Sequence, residues 1–313
     1  MKTTSFLLAL FLLSCNHPFS PKGPFEQQLV VYSVLSSARD LQFVRVYTNY
    51  DVSGFDPFEN ASDRAVAGAQ VTVTGARGTY VFRDTLLPRS DTSRYKTPIT
   101  AYVANWQPEP GQTYTLVVNA ANVGSTSATV TLPGRSQTFS WYPGTQILDY
   151  PDSNKTITYF YAYTRVPQLT KVYTFQLVID YVVLTDAGWQ NRSIEVPVWA
   201  SDASFQGTTY PSLQTAYGYA SGSYTKYAYV STLIRVSTQY SNRLTFKRIV
   251  FRLLQLDGNW YNYYNTVRRF QDPYSIRLDE PDFTNLSRGY GLFGAYTVDS
   301  VAHDYPADFK YNH

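Results

Sequence analysis

The side chain with the clearest chemistry is the thiol of Cys15, the single cysteine of the 313-residue chain. It directly follows Leu12–Ser14, at the end of a short apolar run that begins at Phe6 and is preceded by one positive charge at Lys2. A positive start, an apolar run of about 7–15 residues and a small residue before the cut are typical of a secretion signal. The run is much shorter than the ~20 residues that span a bilayer as a helix. The order therefore predicts a signal over residues 1–14.

The Leu-Leu-Ser-Cys order resembles the lipobox of bacterial lipoproteins. In that family the cysteine sulfur receives a diacylglycerol, the signal is cut before the cysteine, and the new amine is acylated. The thiol of Cys15 has no intramolecular disulfide partner, which fits a modified residue better than a free one in an oxidising compartment. The alternative is an ordinary cleaved signal with a chance cysteine. We predict lipidation of Cys15 and a tether over residues 15–27, which bind the protein to a membrane.

The other side chains with catalytic potential form no recognisable site. The three histidines are His17, His303 and His313, and only His303 could belong to a rigid site. Asp299 or Asp304 could orient its imidazole as a general base. However, no serine stands in a Gly-x-Ser-x-Gly turn, and a surface histidine is the competing interpretation. The sequence therefore predicts that the chain is not an enzyme.

Metal, cofactor and nucleic-acid sites are not predicted. Zinc and iron sites need paired His or Cys ligands. Two acidic clusters lack the spacing of a calcium loop and are interpreted as solvated loops: Asp51, Asp56 and Glu59, and Asp149, Asp152 and Asn154. A net charge of +3 is too weak to indicate nucleic acid. A carboxylate pair for glycoside hydrolysis is recognised by its spatial arrangement, so the sequence leaves that possibility open.

The high aromatic content is the remaining chemical signal, with 29 Tyr and 18 Phe in the chain. Exposed tyrosines can stack on sugars or anchor protein interfaces, whereas buried ones serve the core and cross-strand pairs. A Gly-, Ser-, Thr- and Tyr-rich stretch predicts a long loop between Ser201 and Ser223. The candidate ligand or partner contacts crowd this loop and the strand expected after it: Tyr210, Tyr217, Tyr219 and Tyr224, with Tyr227 and Tyr229 beside them.

The elements that must position these residues are mainly β-strands. Apolar and polar residues alternate with a period of two, which indicates strands with one buried face. The predicted strands of the first part are Leu29–Leu35, Gln42–Thr48, Ala69–Thr74, Thr79–Asp84, Ile99–Trp106, Thr113–Asn119 and Ser127–Leu132. About seven strands in about 100 residues are typical of an immunoglobulin-like sandwich, here over residues 28–134. Tyr114 follows the Pro108–Gly111 turn, where its hydroxyl could bond to the preceding corner.

Residues 135–313 predict a larger antiparallel β-domain, either an open sheet or a partly closed barrel. Its predicted strands exceed the usual ~5–6 residues: Lys155–Arg165, Lys171–Thr185, Trp189–Trp199, Lys226–Thr238 and Leu244–Leu256. One helix is expected over residues 257–268, with Asp257 as its cap. The fold class is thus mainly β, a sandwich followed by an antiparallel domain with one short helix.

Four segments of the chain resemble a family of lipoproteins from the Bacteroidota that is catalogued only as a domain of unknown function. These segments are Leu29–Leu35, Val66–Val73, Pro110–Leu116 and Asn285–Ala295, and the last is the most specific. The resemblance implies an outer-membrane lipoprotein that is often encoded beside a TonB-dependent transporter. It supplies no catalytic residues. The tether lacks an acid before Glu26, unlike many surface-exported lipoproteins of the phylum, so the membrane leaflet stays open.

Together these observations favour a lipid-anchored outer-membrane binding protein that partners a TonB-dependent transporter in nutrient uptake. The alternative is a glycan-binding or glycan-cleaving lipoprotein, for which the aromatic residues and uncommitted carboxylates are the motive. A purely structural envelope protein is a third interpretation.

Overall fold

The computed structural model describes residues 24–311 except for 52–62, 94, 138, 143, 145, 150, 152–155, 201–207, 241–242 and 270–282. The predicted signal and Cys15 lie outside the described residues. The strands are β1 (Leu29–Ser36), β2 (Leu41–Thr48), β3 (Gln70–Gly75), β4 (Gly78–Leu87), β5 (Ile99–Asn105), β6 (Thr113–Ala120), β7 (Gly124–Thr131), β8 (Ser140–Tyr142), β9 (Tyr159–Arg165), β10 (Val172–Thr185), β11 (Gly188–Val196), β12 (Gln214–Thr215), β13 (Tyr219–Thr225), β14 (Leu244–Leu256) and β15 (Tyr290–Asp304). The helices are α1 (Gln146–Asp149), α2 (Lys226–Tyr240) and α3 (Gly258–Arg269). The chain is mainly β, as predicted.

Most strands belong to one 12-stranded sheet. Its order is β11-β10-β14-β15-β1-β2-β5-β4-β3-β6-β7, with β12 paired to β10 off this path. The remaining strands form a three-stranded sheet in the order β13-β9-β8. The pairing of β1 with β15 is parallel, whereas every other pairing described is antiparallel. A sheet of this length folds into layers because its strands twist.

The first seven strands lie where alternation predicted them, and their buried residues form one core. β4 links two layers, since Arg83–Leu87 pairs with β5 and Gly78–Phe82 pairs with β3. The layers are therefore β1-β2-β5-β4 and β3-β6-β7, the strand order used by immunoglobulin-like sandwiches. The immunoglobulin-like interpretation stays a prediction, which this order supports.

The predicted corner bond of Tyr114 is confirmed. The Tyr114 hydroxyl accepts a hydrogen bond from the backbone N–H of Glu109 at 2.9 Å. Its ring lies against Gly75, where an added Cβ would stand 2.5 Å from the ring. Burial raises the pKa of the Tyr114 phenol, so the hydroxyl stays protonated at neutral pH.

The predicted strand Lys226–Thr238 is wrong, because these residues form helix α2. The side-chain oxygen of Thr225 accepts the N–H of Ala228 at 3.2 Å and caps the helix. The residues that α2 buries recur at helical spacing: Ala228, Tyr229, Ser231, Thr232, Leu233 and Val236. Packing against the second core thus overrides the strand preference of the many β-branched residues in this segment. The fold therefore contains more than the one short helix expected.

The predicted helix over 257–268 is present as α3, and Asp257 caps it as expected. Its carboxylate accepts the N–H groups of Asn259 at 2.8 Å and Trp260 at 3.3 Å. The same carboxylate accepts the N–H of Ala295 in β15 at 2.9 Å, which ties the helix to the large sheet. Within the part of the chain that the structure describes, no helix has the length and apolar character needed to cross a membrane.

The resemblance segment Asn285–Ala295 leads into β15, a 15-residue strand that the sequence did not predict. The Asn285 side-chain amide bonds to both the N–H and the carbonyl of Phe293, at 2.9 and 2.8 Å. A Cβ on Gly289 would stand 2.2 Å from the Leu29 carbonyl oxygen. Asn285 and Gly289 therefore allow β15 to pair closely, in parallel, with β1.

Candidate functional site

The candidate site is an exposed row of tyrosines on the three-stranded sheet. In β9 the side chains of Tyr159, Tyr161 and Tyr163 alternate with buried neighbours. Register places Tyr142 of β8 beside Tyr161, and it places Tyr219 of β13 beside Arg165. Because side chains alternate across a strand, residues paired in register share a face. We call the outward side of this sheet the tyrosine face; its rings are Tyr142, Tyr159, Tyr161, Tyr163 and Tyr219.

The opposite side of the same sheet is anchored in the second core. Trp141 of β8 packs edge-on against Phe251, with ring centroids 4.2 Å apart. Phe160 of β9 contacts Tyr229 of α2 at 5.6 Å in the same manner. In β13, a Cβ on Gly222 would stand 2.5 Å from Cβ of Phe175, so only glycine lets the sheet approach β10 this closely. The rigid inner side fixes the positions of the outer rings.

The rings of the tyrosine face adjoin one another with similar orientations. Tyr161 is central: its centroid lies 5.1 Å from that of Tyr142 and 6.5 Å from that of Tyr159, each with an interplanar angle of 22°. Tyr163 follows at 5.9 Å and 39°. Tyr142 is 50% exposed, Tyr159 52% and Tyr163 43%. Large aromatic side chains usually bury most of their surface, so a contiguous exposed group marks an interaction surface.

The face is almost free of charge. Arg165 is the single charged residue on the outward side of the three strands, all of which are fully described. Its guanidinium lies 5.6 Å from the Tyr219 ring centroid, and its Nε donates to the Tyr219 hydroxyl at 3.1 Å. The other outward residues are hydroxylic: Ser140, Ser221, Ser223 and Thr225. The surface therefore offers rings and neutral hydroxyls.

The edge of the sheet beside β13 is partly closed by a side chain. The Tyr173 hydroxyl accepts the N–H of Ser221 at 3.2 Å and donates to Gln214 Oε1 at 2.8 Å. A backbone group that is already paired is not free to accept an added strand. The exposed outward rings are thus better placed for a contact than this edge.

The predicted contact residues divide between surface and core. Tyr219 lies on the tyrosine face, and Tyr210 and Tyr217 are also exposed, the latter 87%. Tyr224 is wrong as a contact, because only 1% of it is exposed and burial raises the pKa of its phenol well above the usual range. Tyr229, named beside them, is buried as well.

The predicted loop between Ser201 and Ser223 is only partly described. Residues 201–207 lie outside the described residues. The remainder contains β12 and most of β13, so the prediction of a continuous loop is wrong there. β13 was missed because Gly218, Ser221, Gly222 and Ser223 in and beside it favour turns.

Sequence reasoning missed Tyr142, Tyr159, Tyr161 and Tyr163 as site residues. A signal for three of them is present, since the tyrosines of Tyr159–Arg165 occupy alternate positions between Phe160, Ala162 and Thr164. That alternation predicts a strand face on which the three tyrosines stand together. Tyr142 carries no such signal, because its place depends on how β8 pairs with β9.

His303 does not form the predicted base–carboxylate pair. Its Nε2 lies 2.8 Å from Oδ1 of Asp149 in α1, rather than beside Asp299 or Asp304. Asp299 instead accepts hydrogen bonds from Arg135 at 2.9 Å and from Gln255 at 2.8 Å. The hydrogen bonds of His303 and Asp299 thus join separate elements of the fold.

Metal ligands do not cluster among the described residues: no group of three or more His, Cys, Asp or Glu side chains could hold an ion there. Of the two acidic clusters, Asp56, Glu59, Asp152 and Asn154 lie outside the described residues. Two open cavities of about 330 and 410 Å³ flank Gln27. The first contains Glu26 and Arg288 and the second Asp63 and Arg64, so neither has a net charge that would select an ion.

Comparisons with known proteins give a family and distant structural likenesses. A search of curated proteins finds no match. A crystal structure of a DUF4785 family protein from Legionella pneumophila is 10% identical and has a TM-score of 0.22. That match covers 71% of this chain and 51% of the other, so the chain spans about half the length of that protein. The model of a domain of unknown function, DUF4249, matches residues 16–301. The chain therefore belongs to the DUF4249 family.

Proposed function

We propose that the chain is a non-enzymatic binding protein, held at the outer membrane by a lipid on Cys15, that assists a TonB-dependent transporter in nutrient uptake. The observation that carries the binding role is the tyrosine face, an exposed aromatic surface on a rigid sheet. Tyrosine supplies a large contact area at low conformational-entropy cost, as in binding surfaces of other proteins. Tyr210 and Tyr217, which lie outside this sheet, are further exposed candidates for the contact.

The anchor is supported by the order of residues around Cys15. Two or more acyl chains hold a protein stably on a membrane, where a single chain is marginal. Growth with a fatty-acid probe should label the wild-type chain, and Cys15→Ser should abolish the label. An unlabelled wild-type chain, or a labelled Cys15→Ser variant, would contradict the anchor.

The partnership is supported by the resemblance to lipoproteins encoded beside TonB-dependent transporters. The full chain, isolated from detergent-solubilised membranes of its own organism, should bring a transporter with it. The variant Tyr217→Ser changes an exposed residue outside the tyrosine face. If less transporter is recovered with this variant, Tyr217 belongs to the transporter contact. Recovery of the wild-type chain alone, with its lipid intact, would contradict the transporter role.

A further inference from the structure

The chemistry of the tyrosine face defines a class of ligand, and this step rests on the proposed binding function. We infer that the tyrosine face binds a neutral carbohydrate chain. The face combines five tyrosines with four neutral hydroxyl side chains and one guanidinium that is engaged by Tyr219. No carboxylate lies on the outward side of these strands.

Each part of a sugar has a counterpart on this surface. Sugar rings present C–H-rich faces that pack on aromatic rings, because both surfaces are apolar. Their hydroxyls need hydrogen-bond partners, which Ser221 and Ser223 supply beside Tyr163 and Tyr161. The rings of Tyr142, Tyr161 and Tyr159 are stacked on one another with interplanar angles of 22° between neighbours, so the row presents its ring edges, phenol hydroxyls and outer ring faces to one extended ligand.

Charge separates this ligand class from others. An anionic polymer would need several cations, whereas Arg165 is the single charge on the face and lies beside Tyr219. Tyrosine is also common at protein interfaces, so a protein partner is distinguished from a carbohydrate by experiment and not by the presence of the rings. The outward positions of β8, β9 and β13 contain no aliphatic side chain. The observations therefore favour a neutral, hydroxyl-rich chain.

The test is affinity electrophoresis of the full chain, purified in mild detergent, through gels that contain a polysaccharide. The neutral probes are an α-glucan, a β-glucan, a mannan and a galactan, and polygalacturonate is the anionic control. At least one neutral probe should retard the wild-type chain. Tyr161→Ser should weaken the interaction by about three- to tenfold, the expected value of one ring contact.

Two further variants distinguish the loss of a ring contact from the loss of the folded structure. Tyr161→Phe retains the ring and should retain most of the retardation. Tyr290→Ser removes a tyrosine that is 45% exposed on the other sheet, and it should behave as wild type. Thermal unfolding checks that each variant is folded. A loss that Tyr161→Phe shares with Tyr161→Ser, or that Tyr290→Ser shows equally, would overturn the inference.

The remaining outcomes distinguish this inference from the proposed function. Retardation by no neutral probe, or by polygalacturonate alone, would overturn the carbohydrate assignment. If a transporter co-purifies with wild type but not with Tyr161→Ser, while no polysaccharide binds, the face is a protein contact and the carbohydrate inference is wrong. Retardation by a neutral probe without any transporter would support the inference and contradict the partnership.

Discussion

Gly291 lies where the parallel backbones of β1 and β15 approach each other closely. A Cβ at this position would stand 2.0 Å from the carbonyl oxygen of Val31, and Gly291 has φ of +118°. The substitution Gly291→Ala therefore adds backbone strain and a collision with β1. Gly124 is a matched control, because its φ is +117° and an added Cβ there meets no atom within 4 Å.

The two variants share the strain term, which is about 1–3 kcal/mol for a non-glycine residue in this region. Only Gly291→Ala adds the collision. Since a Cβ essentially never approaches such an atom within 3.0 Å, β1 and β15 must separate there by about 1 Å. Such a shift breaks several ladder hydrogen bonds, each worth about 1 kcal/mol net. We expect Gly291→Ala to lose about 3–5 kcal/mol more than Gly124→Ala.

Urea unfolding followed by tryptophan fluorescence measures the two losses on the same chain. In a thermal scan, this difference corresponds to an unfolding midpoint that is about 6–10 °C lower for Gly291→Ala than for Gly124→Ala, at about 2 °C per kcal/mol for a chain of this size. If the unfolding free energies of the two variants agree within about 0.5 kcal/mol, the close approach of β1 and β15 does not contribute to stability and the prediction is refuted.

Two smaller predictions concern titratable side chains. Tyr114→Phe leaves the Glu109 N–H without its acceptor and should lower the unfolding free energy by about 1–3 kcal/mol in urea titrations; an unchanged midpoint would contradict the role of the corner bond. Burial raises the pKa of Glu195, so its stabilising contribution is complete below the unfolded value of about 4.3 and is lost as pH rises through the folded value. Glu195→Gln should therefore gain stability relative to wild type between pH 4 and pH 7, by less than about 1 kcal/mol because the group is only partly buried; a constant or opposite difference would count against this sign.

The strands of the first core were predictable because each buries one face. Val71 and Val73, for example, are buried while the residues between and beside them are partly exposed. The period of two is a direct consequence of that geometry, so the pattern is visible without knowledge of the partners. The same alternation is present in Tyr159–Arg165, where it marks the three tyrosines that were missed as site residues.

The missed elements depend on contacts that the local sequence does not encode. The first half of β15 is buried on both sides from Gly291 to Ala295, so no alternation marks it as a strand. In α2, the β-branched residues favour a strand, and the surrounding core selects the helix instead. The meeting of Tyr142 and Tyr219 on one face required the registers of β8 and β13, which link distant parts of the chain.

The parallel pairing of β1 with β15 also affects the order in which the protein can fold. Ser37 and Val298 are 261 residues apart in sequence, yet the Ser37 hydroxyl accepts the N–H of Val298 at 3.1 Å. Until synthesis reaches β15, one edge of β1 has no partner and can recruit strands from other chains. Contacts this distant in sequence also slow folding. A chain that stops before β15 would thus be prone to aggregate, because β1 acquires its parallel neighbour only after β15, which begins at Tyr290, has been made.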